Sequence, residues 1–430
     1  MSRLARPNLR AETTASRLAG LTLPQGGAWL RAARGGALAR VEALGLPQRR
    51  DEYWRFTDPT TLTAPDPTPA APMNDDEGPA FAEVGALRLV FVDGRFDPQA
   101  SDADAVEGLE IERLSDAATR DLHWAQGLYG TLEAEGQKPV ARPLAALNTA
   151  FAGDGVLIRV TGVVERPVHI VYRHDSTTSD AILHHVVKLE PGARLTLLES
   201  GPAAARFNKV TEVEVADGAT FHHVRTQGRD RERRAATHIF ARLGERSDFR
   251  SFTLTFNGVL TRNEVVLNLT GDDAIAHVAG AAVGDGDFHH DDTVFVTHGA
   301  ESCESRQVFK KVLRNGATGV FQGKILVKPG AQKTDGYQLS QALLLDERSQ
   351  FLAKPELEIY ADDVKCSHGS TAGALDETAM FYLRSRGVPE RDAKDLLTLA
   401  FLQEALQEIA DERLAQDLSR RLEGWLSRRR

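Results

Sequence analysis

Residues 192–198 read Gly-Ala-Arg-Leu-Thr-Leu-Leu and residues 218–224 read Gly-Ala-Thr-Phe-His-His-Val, so one template returns after 26 positions. Glycines that begin similar runs, or lie at the turn before them, follow at Gly244, Gly271 and Gly299, with spacings of 26, 27 and 28. A nearly constant period of about 20 to 50 residues is typical of solenoids. Each repeat has room for two strands, so the pattern predicts stacked β rungs that coil into a β-helix.

Short runs of alternating apolar residues continue from residue 156 to about residue 374, separated by Gly and Asp turns. They predict a mainly β fold with a parallel β-helix core. A β-sandwich is the alternative interpretation, because sandwiches also have short strands that recur about every 8 to 12 residues.

The sequence outside this core predicts helices at both ends of the chain. Helix-forming stretches run from Glu12 to Leu21 and from Ala28 to Leu44, and Asp376 can cap a first C-terminal helix. After the first helical region, residues rich in Pro, Ala and Asp are typical of an exposed linker. The predicted organisation is an N-terminal helical region (1–63), a Pro/Ala/Asp linker (64–80), a mixed α/β lead-in (81–155), the β-helix core (156–374) and a C-terminal helical domain (375–430).

Composition limits the cellular setting and the partners. Two cysteines in 430 residues give no disulfide framework and fit a reducing compartment, so a bacterial cytoplasmic location is expected. The net charge of -9 argues against nucleic acid as a partner, and no run approaches the roughly 18 apolar residues that a membrane span needs. The alternative is an organelle, if the Arg-rich start is a transit peptide; its arginines are Arg3, Arg6, Arg10 and Arg17.

A candidate site for a soft metal lies near the end of the β region. Cys366 and His368 stand two positions apart in a strand-like run, and on a strand such residues face the same side. Two ligands cannot complete a zinc or iron shell, which takes about four, so other parts of the chain or a second protein must supply the rest. Asp362 has the same parity and is a candidate carboxylate partner that orients His368.

Enzymatic interpretations find less support. Eleven of the 13 histidines lie between His169 and His298, which also fits a metal-dependent hydrolase, but paired neighbours on a strand face opposite sides and no His-Glu-x-x-His spacing occurs. A hydrolase acting on carbohydrate would need clustered carboxylates and aromatics, and aromatic residues make up only 7%. Residues 319–325 resemble a phosphate loop only superficially, because the glycine spacing is wrong and no Ser or Thr follows Lys324. The sequence predicts a non-catalytic protein without a recognisable cofactor motif.

Several motifs carry a resemblance to a known family. The string Asp-Asp-Val-Lys-Cys-Ser-His-Gly at residues 362–369 and Phe-Tyr-Leu-Arg-Ser-Arg-Gly at 381–387 resemble the SufB/SufD family of the SUF iron-sulfur cluster assembly machinery, as do residues 321–327, 334–336 and 343–345. The resemblance implies a β-helix core and a scaffold function. The retained Cys-Ser-His-Gly motif and the lack of a cysteine-rich N-terminal region favour the SufD type, and a SufB-like homodimeric cluster scaffold is the alternative.

The resemblance also implies partners and cofactors. His368 would lie at the contact between the β-helix edge and a SufB-like paralogue, near a transient iron-sulfur cluster, and is the candidate metal ligand. Cys366 has a weaker claim because the cluster-bearing cysteine of the family is ascribed chiefly to SufB. A reduced flavin in the complex and a homodimer of the chain alone are further expectations.

The C-terminal helices would bind a SufC-like ABC-type ATPase, so ATP would be brought by another subunit. The apolar residues of the second of these helices point in nearly all directions at helical spacing, and such a helix must be covered on more than one face. The last helix and the β core, or a partner, would cover it. The residues expected at this contact are Leu396, Leu397, Leu399, Phe401, Leu402 and Leu406.

Overall fold

The computed structural model describes residues 9–72, 78–228 and 230–427. Arg3 and Arg6 of the Arg-rich start and residues 73–77 of the expected linker lie outside these residues. The strands form a ten-stranded and a nine-stranded sheet, and from β4 onward successive strands alternate between the two. The strands are β1 (Leu87–Val92), β2 (Arg95–Asp97), β3 (Leu109–Arg113), β4 (Val156–Val160), β5 (Val168–Arg173), β6 (Asp180–Leu189), β7 (Arg194–Ser200), β8 (Arg206–Val215), β9 (Thr220–Gln227), β10 (Arg234–Leu243), β11 (Asp248–Phe256), β12 (Leu260–Leu269), β13 (Ile275–Asp285), β14 (His289–His298), β15 (Glu304–Arg314), β16 (Thr318–Val327), β17 (Thr334–Leu344), β18 (Gln350–Ile359) and β19 (Val364–Gly373).

Strand pairing confirms the predicted solenoid. From β4 and β5 onward, every strand pairs in parallel with the strand two positions later in the chain, so each turn adds one rung to each sheet. The order in the ten-stranded sheet is β19-β17-β15-β13-β11-β9-β7-β5-β1-β2, and β18-β16-β14-β12-β10-β8-β6-β4-β3 in the other. Among the described strands, the antiparallel pairs are β1 with β2 and β3 with β4. Parallel pairing throughout the core excludes the antiparallel β-sandwich alternative.

The periodic glycines lie at one corner of the solenoid, where glycine is required for two different reasons. Gly192 and Gly218 have φ angles of 73° and 66°, a left-handed conformation that favours glycine. By contrast, a Cβ on Gly271 would lie 2.1 Å from the backbone nitrogen of Glu245 in the neighbouring turn. In later turns the left-handed position is held by Arg246, Asp273, Ser302 and Lys333.

The turns lengthen along the chain. Arg194 pairs with Thr220, an offset of 26, while Glu304 pairs with Asp335, an offset of 31. The spacing of the glycines therefore matches the number of residues in the early turns of the solenoid. It is smaller than the number of residues in the later turns.

The space between the two sheets is divided into an apolar half and a polar half. Apolar side chains such as Val213, Leu243 and Leu267 form one continuous core. The polar half contains a hydrogen-bonded column in which the Glu199 carboxylate accepts bonds from Tyr172, Lys209 and His223. We call this buried set the polar column; its further members are His185, Arg225, Gln227, Thr237, Asn263, His290, Asp292 and Lys311.

Helices cover the solenoid from both ends of the chain, as predicted. They are α1 (Leu9–Ala19), α2 (Ala28–Leu44), α3 (Thr60–Thr63), α4 (Leu114–Ala117), α5 (Thr131–Glu135), α6 (Pro143–Phe151), α7 (Glu377–Ser385), α8 (Glu390–Leu406) and α9 (Glu412–Ser427), with short 3-10 helices at Glu52–Trp54, Ala82–Val84 and Trp124–Gly127. None of these helices is long and apolar enough to cross a membrane.

The segment expected to be a linker is attached to the solenoid over its described part, residues 64–72. The Arg206 guanidinium donates to the carbonyl oxygens of Ala64 (2.6 Å) and Pro65 (3.2 Å). Ala70 is buried, and its N–H donates to the carbonyl of Thr177. Most side chains in this stretch are exposed, but its backbone is fixed by these bonds.

Candidate functional site

The C-terminal end of the solenoid presents two open strand edges. β19 ends the ten-stranded sheet and pairs with β17, and β18 ends the nine-stranded sheet and pairs with β16. No residue of β18 or β19 is buried, whereas most residues of β14 and β15 are. Unpaired backbone N–H and C=O groups on such edges form a template for another strand.

Cys366 and His368 both lie on β19, on the face that looks between the sheets. They are register partners of Gly336 and Gln338 on β17. Cys366 is half-buried and packs with Leu357 and Val364 at the end of the core, while His368 is exposed because no further rung covers it. The open end of the solenoid therefore brings a thiol and an imidazole to one face.

The Cys366 thiol is neutral at physiological pH. Burial raises its pKa, which the Gly336 backbone N–H lowers in part. A Cβ on Gly336 would lie 3.2 Å from the Cys366 sulfur, so glycine leaves room for the thiol. A metal could bind the sulfur only with loss of the thiol proton. The second cysteine, Cys303, is fully buried, and its sulfur contacts the Gly271 carbonyl at 3.3 Å.

A ladder of amide side chains leads to His368 from inside the solenoid. Gln307, Gln338 and His368 are successive register partners on β15, β17 and β19. The Gln338 amide donates to Gln307 Oε1 at 2.7 Å, and both glutamines are fully buried. Gln338 Oε1 and Gln307 Nε2 have no hydrogen-bond partner. If the oxygen and nitrogen positions are exchanged in both amides, two amide atoms still lack a partner. Gln338 thus has one buried amide atom without a partner, one rung before the end of the sheet.

Residues of the motif at 321–327, which had no assigned function in the sequence, support this ladder. A Cβ on Gly323 would lie 2.1 Å from the Gln338 amide nitrogen, so the glycine at that position gives the amide its space. Gln322 donates to Asp291 at 3.1 Å, which fixes the neighbouring strand from the outer face. Sequence reasoning missed Gln338, and the two motif glycines, Gly323 and Gly336, were the signal that could have found it.

Asp362 does not join the pair. It is exposed in the bend before β19, and among the described residues it makes no hydrogen bond to His368. In the ranges 9–72, 78–228 and 230–427, no group of three or more His, Cys, Asp or Glu side chains could hold a metal ion.

The histidines of the core are components of the fold. His185, His223 and His290 belong to the polar column. Burial, with Lys209 nearby, lowers the pKa of His185 to about 3, so its ring is neutral. These rings bond to neighbouring side chains across the sheets and do not form the ligand set of a metal-dependent hydrolase.

The predicted partner-binding residues on α8 divide into two groups. Leu402 and Leu406 are buried against the ten-stranded sheet, together with α9, so they hold the helix in place. Leu397, Leu399 and Phe401 are partly buried, and Leu396 is 51% exposed. Of the six, Leu396 alone offers a large exposed surface.

Helix α7 adds an exposed aromatic surface next to α8. Phe381 is 74% exposed and Tyr382 is 56% exposed, and α7 contains no buried residue. Phe381 also lines a cleft of about 1310 Å³ between α7, α8 and the turn after β17. We call Phe381, Tyr382 and Leu396 the α7–α8 surface. Exposed aromatic side chains of this kind are typical of protein interaction sites.

Comparisons with known proteins agree over almost the whole chain. Residues 24–170 match the family model described as SufBD protein N-terminal region, and residues 172–401 match SUF system FeS cluster assembly, SufBD core domain. The iron-sulfur cluster assembly protein SufD of Escherichia coli is 30% identical, with 90% of each chain covered. An iron-sulfur cluster assembly SufBD family protein of Synechocystis is 31% identical, with 87% of this chain and 86% of the relative covered. A chloroplastic protein of Arabidopsis thaliana, ABCI7, is 25% identical, with 88% and 82% covered.

Proposed function

The chain belongs to the SufBD family of SUF-system iron-sulfur cluster assembly proteins, and we propose that it is the SufD-type scaffold subunit of such a machine. Two ten-residue open edges at the end of the solenoid, with Cys366 and His368 on one of them, carry this proposal. A bacterial cytoplasmic location is proposed with it. An organelle remains the alternative, and one relative is chloroplastic.

A SufB-like paralogue is the proposed partner at the open edges. A solenoid of similar cross-section can continue both sheets, because β18 and β19 each have one free row of backbone donors and acceptors. Such a partner would cover half-buried side chains such as Leu357 and the exposed ring of His368. Continuing the sheets would bury both the strand edges and the end of the core.

The cluster is the cargo of this junction, and this chain would supply part of its ligand shell. His368 is the stronger candidate, since its imidazole is exposed and its neighbour Gln338 can hold one ring nitrogen from inside. Cys366 is the weaker candidate, because its thiol is half-buried and protonated at neutral pH. The partner would provide the remaining ligands. Asp362 has no supporting contact to His368.

A SufC-like ATPase is the proposed partner of the α7–α8 surface. Leu402 and Leu406 anchor α8 to the sheet, so movement imposed on the exposed α7 could be transmitted to the solenoid. ATP hydrolysis would occur in that subunit, and the present chain would act as a scaffold. The resemblance also implies a reduced flavin in the complex, which we do not assign to residues of this chain.

Reconstitution with partners tests the proposal. The chain is co-expressed with SufB-like and SufC-like proteins, purified, and supplied with iron and sulfide, and cluster yield is measured by absorbance. We expect a stable complex, with cluster yield reduced in His368→Ala and retained in Ser367→Ala, whose side chain faces the opposite side of β19.

Each outcome has a clear meaning. Full cluster yield in His368→Ala would remove the role of His368, and failure to form any stable complex would overturn the scaffold proposal. Cluster assembly by the chain alone, as a homodimer, would favour the SufB-like alternative.

A further inference from the structure

A second cleft lies on the outer face of the ten-stranded sheet, away from the open edges. It is bounded by residues 78–86, the end of β5, and Arg421 of α9, and its volume is about 450 Å³. Sites for small molecules typically have volumes of about 300 to 1,000 Å³. The cluster proposal uses none of its residues.

Positive charge surrounds this cleft, although the chain carries a net charge of -9. Among the described residues, Arg88, Arg173 and Arg421 line it, against one carboxylate, Asp175. Within the described residues, the guanidinium groups of Arg88 and Arg173 make no ion pair or hydrogen bond, whereas Arg421 is held by Asp417 at 3.0 Å. Two arginine side chains are therefore available to an incoming anion.

The floor of the cleft is polar and preformed. His169 Nε2 lies 2.8 Å from the Ser200 hydroxyl oxygen, and both side chains are buried. Burial, followed by the charges of Arg88 and Arg421, lowers the pKa of His169 to about 3. The ring is neutral chiefly because it is buried, and the two arginines add a positive potential that favours a bound anion.

One wall of the cleft is aromatic and is held in a rare backbone conformation. Phe81 is 2% exposed with φ of 57°, a left-handed conformation that is rare for a bulky residue. Its ring meets His169 edge-on at 5.4 Å, and Phe256 also lines the cleft. Phe256 is 1% exposed, so the two rings offer a bound flat ring only a narrow apolar contact, beside which an attached charged group would reach the arginines.

We propose that this cleft binds a small phosphate-bearing molecule with a flat ring, of mononucleotide size, with its phosphate held by Arg88 and Arg173. Arginine suits this role because its planar guanidinium donates two hydrogen bonds to one phosphate. Because Arg421 comes from α9, the ligand would connect the C-terminal helix to the solenoid. The proposal does not depend on the role in cluster assembly.

Titration calorimetry with adenosine monophosphate and ribose 5-phosphate tests the proposal on the full chain. We expect saturable binding of adenosine monophosphate that weakens at least tenfold in Arg88→Gln/Arg173→Gln. Arg194→Gln is the matched control, because Arg194 is an exposed arginine on the same sheet that does not line the cleft. Both substitutions alter exposed side chains, so the fold and the unfolding temperature should be unchanged.

Three results would overturn the proposal. Binding of neither probe, or an equal loss of affinity in Arg194→Gln, would remove the phosphate site. Equal affinity for adenosine monophosphate and ribose 5-phosphate would remove the aromatic subsite formed by Phe81 and Phe256.

Discussion

Gln338 and His368 are register partners on β17 and β19, and both side chains occupy the inner face of the ten-stranded sheet. Gln338 is fully buried with one amide atom unpaired, and His368 stands on the last rung, open to solvent. A buried amide next to an exposed imidazole can select which ring nitrogen carries the proton and which is free for a metal.

Replacing Gln338 with Leu should remove the unpaired buried amide atom that could bond the His368 ring once a partner covers the last rung. In the assembled complex, we expect the ring nitrogen chemical shifts of His368, assigned with His368→Ala, to become those of a ring exchanging freely between tautomers, and metal affinity to fall about tenfold. Gln341→Leu is the control, because Gln341 lies on the outer face of the same strand and faces Thr371. Unchanged nitrogen shifts in Gln338→Leu would contradict the positioning role.

Adding a methyl group at Gly323 should destabilise the amide ladder. The new Cβ would meet the Gln338 amide nitrogen at 2.1 Å, so we expect Gly323→Ala to lower the free energy of unfolding by about 1–3 kcal/mol. Gly330→Ala, where no atom lies within 4 Å, should cost far less. Urea unfolding of both variants checks this, and equal stability would show that the ladder tolerates displacement.

The reactivity of Cys366 should follow its raised pKa. In a Cys303→Ala background, alkylation by iodoacetamide should be slow at pH 7 and rise with pH without a plateau below about pH 9, because only the thiolate reacts. A plateau near pH 7 would show that the thiol is already ionised. Cys303 itself should react more slowly still in Cys366→Ala, since it is fully buried.

Acid should destabilise the fold through its buried histidines. The folded pKa is about 3 for His169 and His185 and about 4 for His238 and His298, against about 6.5 in an unfolded chain. Between these values the unfolded state binds more protons, so stability present above pH 6.5 is lost as pH falls, by up to about 1.4 kcal/mol per unit for each ring. Three buried carboxyls with raised pKa oppose this trend: Glu133, Asp230 and Asp292.

Urea unfolding between pH 7.5 and pH 5 measures this dependence. We expect the free energy of unfolding to decrease steadily over that range, because the histidines with lowered pKa outnumber the three carboxyls. His298→Gln, which can retain a bond to Ser305, should reduce the slope. A flat profile would mean that the buried rings are protonated in the folded state.

The α7–α8 surface should affect binding and leave stability nearly unchanged. Phe381→Ser/Tyr382→Ser removes two exposed aromatic rings, so we expect an unfolding free energy within about 0.5 kcal/mol of the parent and weaker capture of the SufC-like ATPase. Leu402→Ala is the contrasting variant, with an expected loss of about 2–5 kcal/mol because Leu402 is fully buried. Unimpaired capture by the double variant would place the ATPase contact elsewhere.

The sequence predicted the solenoid well because its first turns repeat a glycine corner at nearly constant spacing. It could not show that the later turns lengthen to 31 residues, since Arg246 and Ser302 adopt the left-handed conformation without being glycine. It also could not show that the expected linker is attached, because the bonds of Arg206 to Ala64 and Pro65 join residues far apart in the chain.

The candidate site was predicted in part. Strand parity placed Cys366 and His368 on one face, because alternation is a local property of the backbone. Which apolar residues of α8 stay exposed depends on packing against β13 and β15, so Leu402 could not be distinguished from Leu396. Gln338 was missed because register pairing across 30 residues of chain leaves no local signal apart from the motif glycines Gly323 and Gly336.

The two ends of the solenoid differ in what they can recruit. At the N-terminal end the sheets finish in β2 and β3, antiparallel strands of three and five residues, while β18 and β19 at the other end have ten residues each. Short, charged terminal strands offer little for another chain to extend. A solenoid with long open strand edges at one end only can form a pair through that end. It cannot add copies head to tail into a fibre. If the proposed partner docks on these edges, assembly through them would stop at two chains.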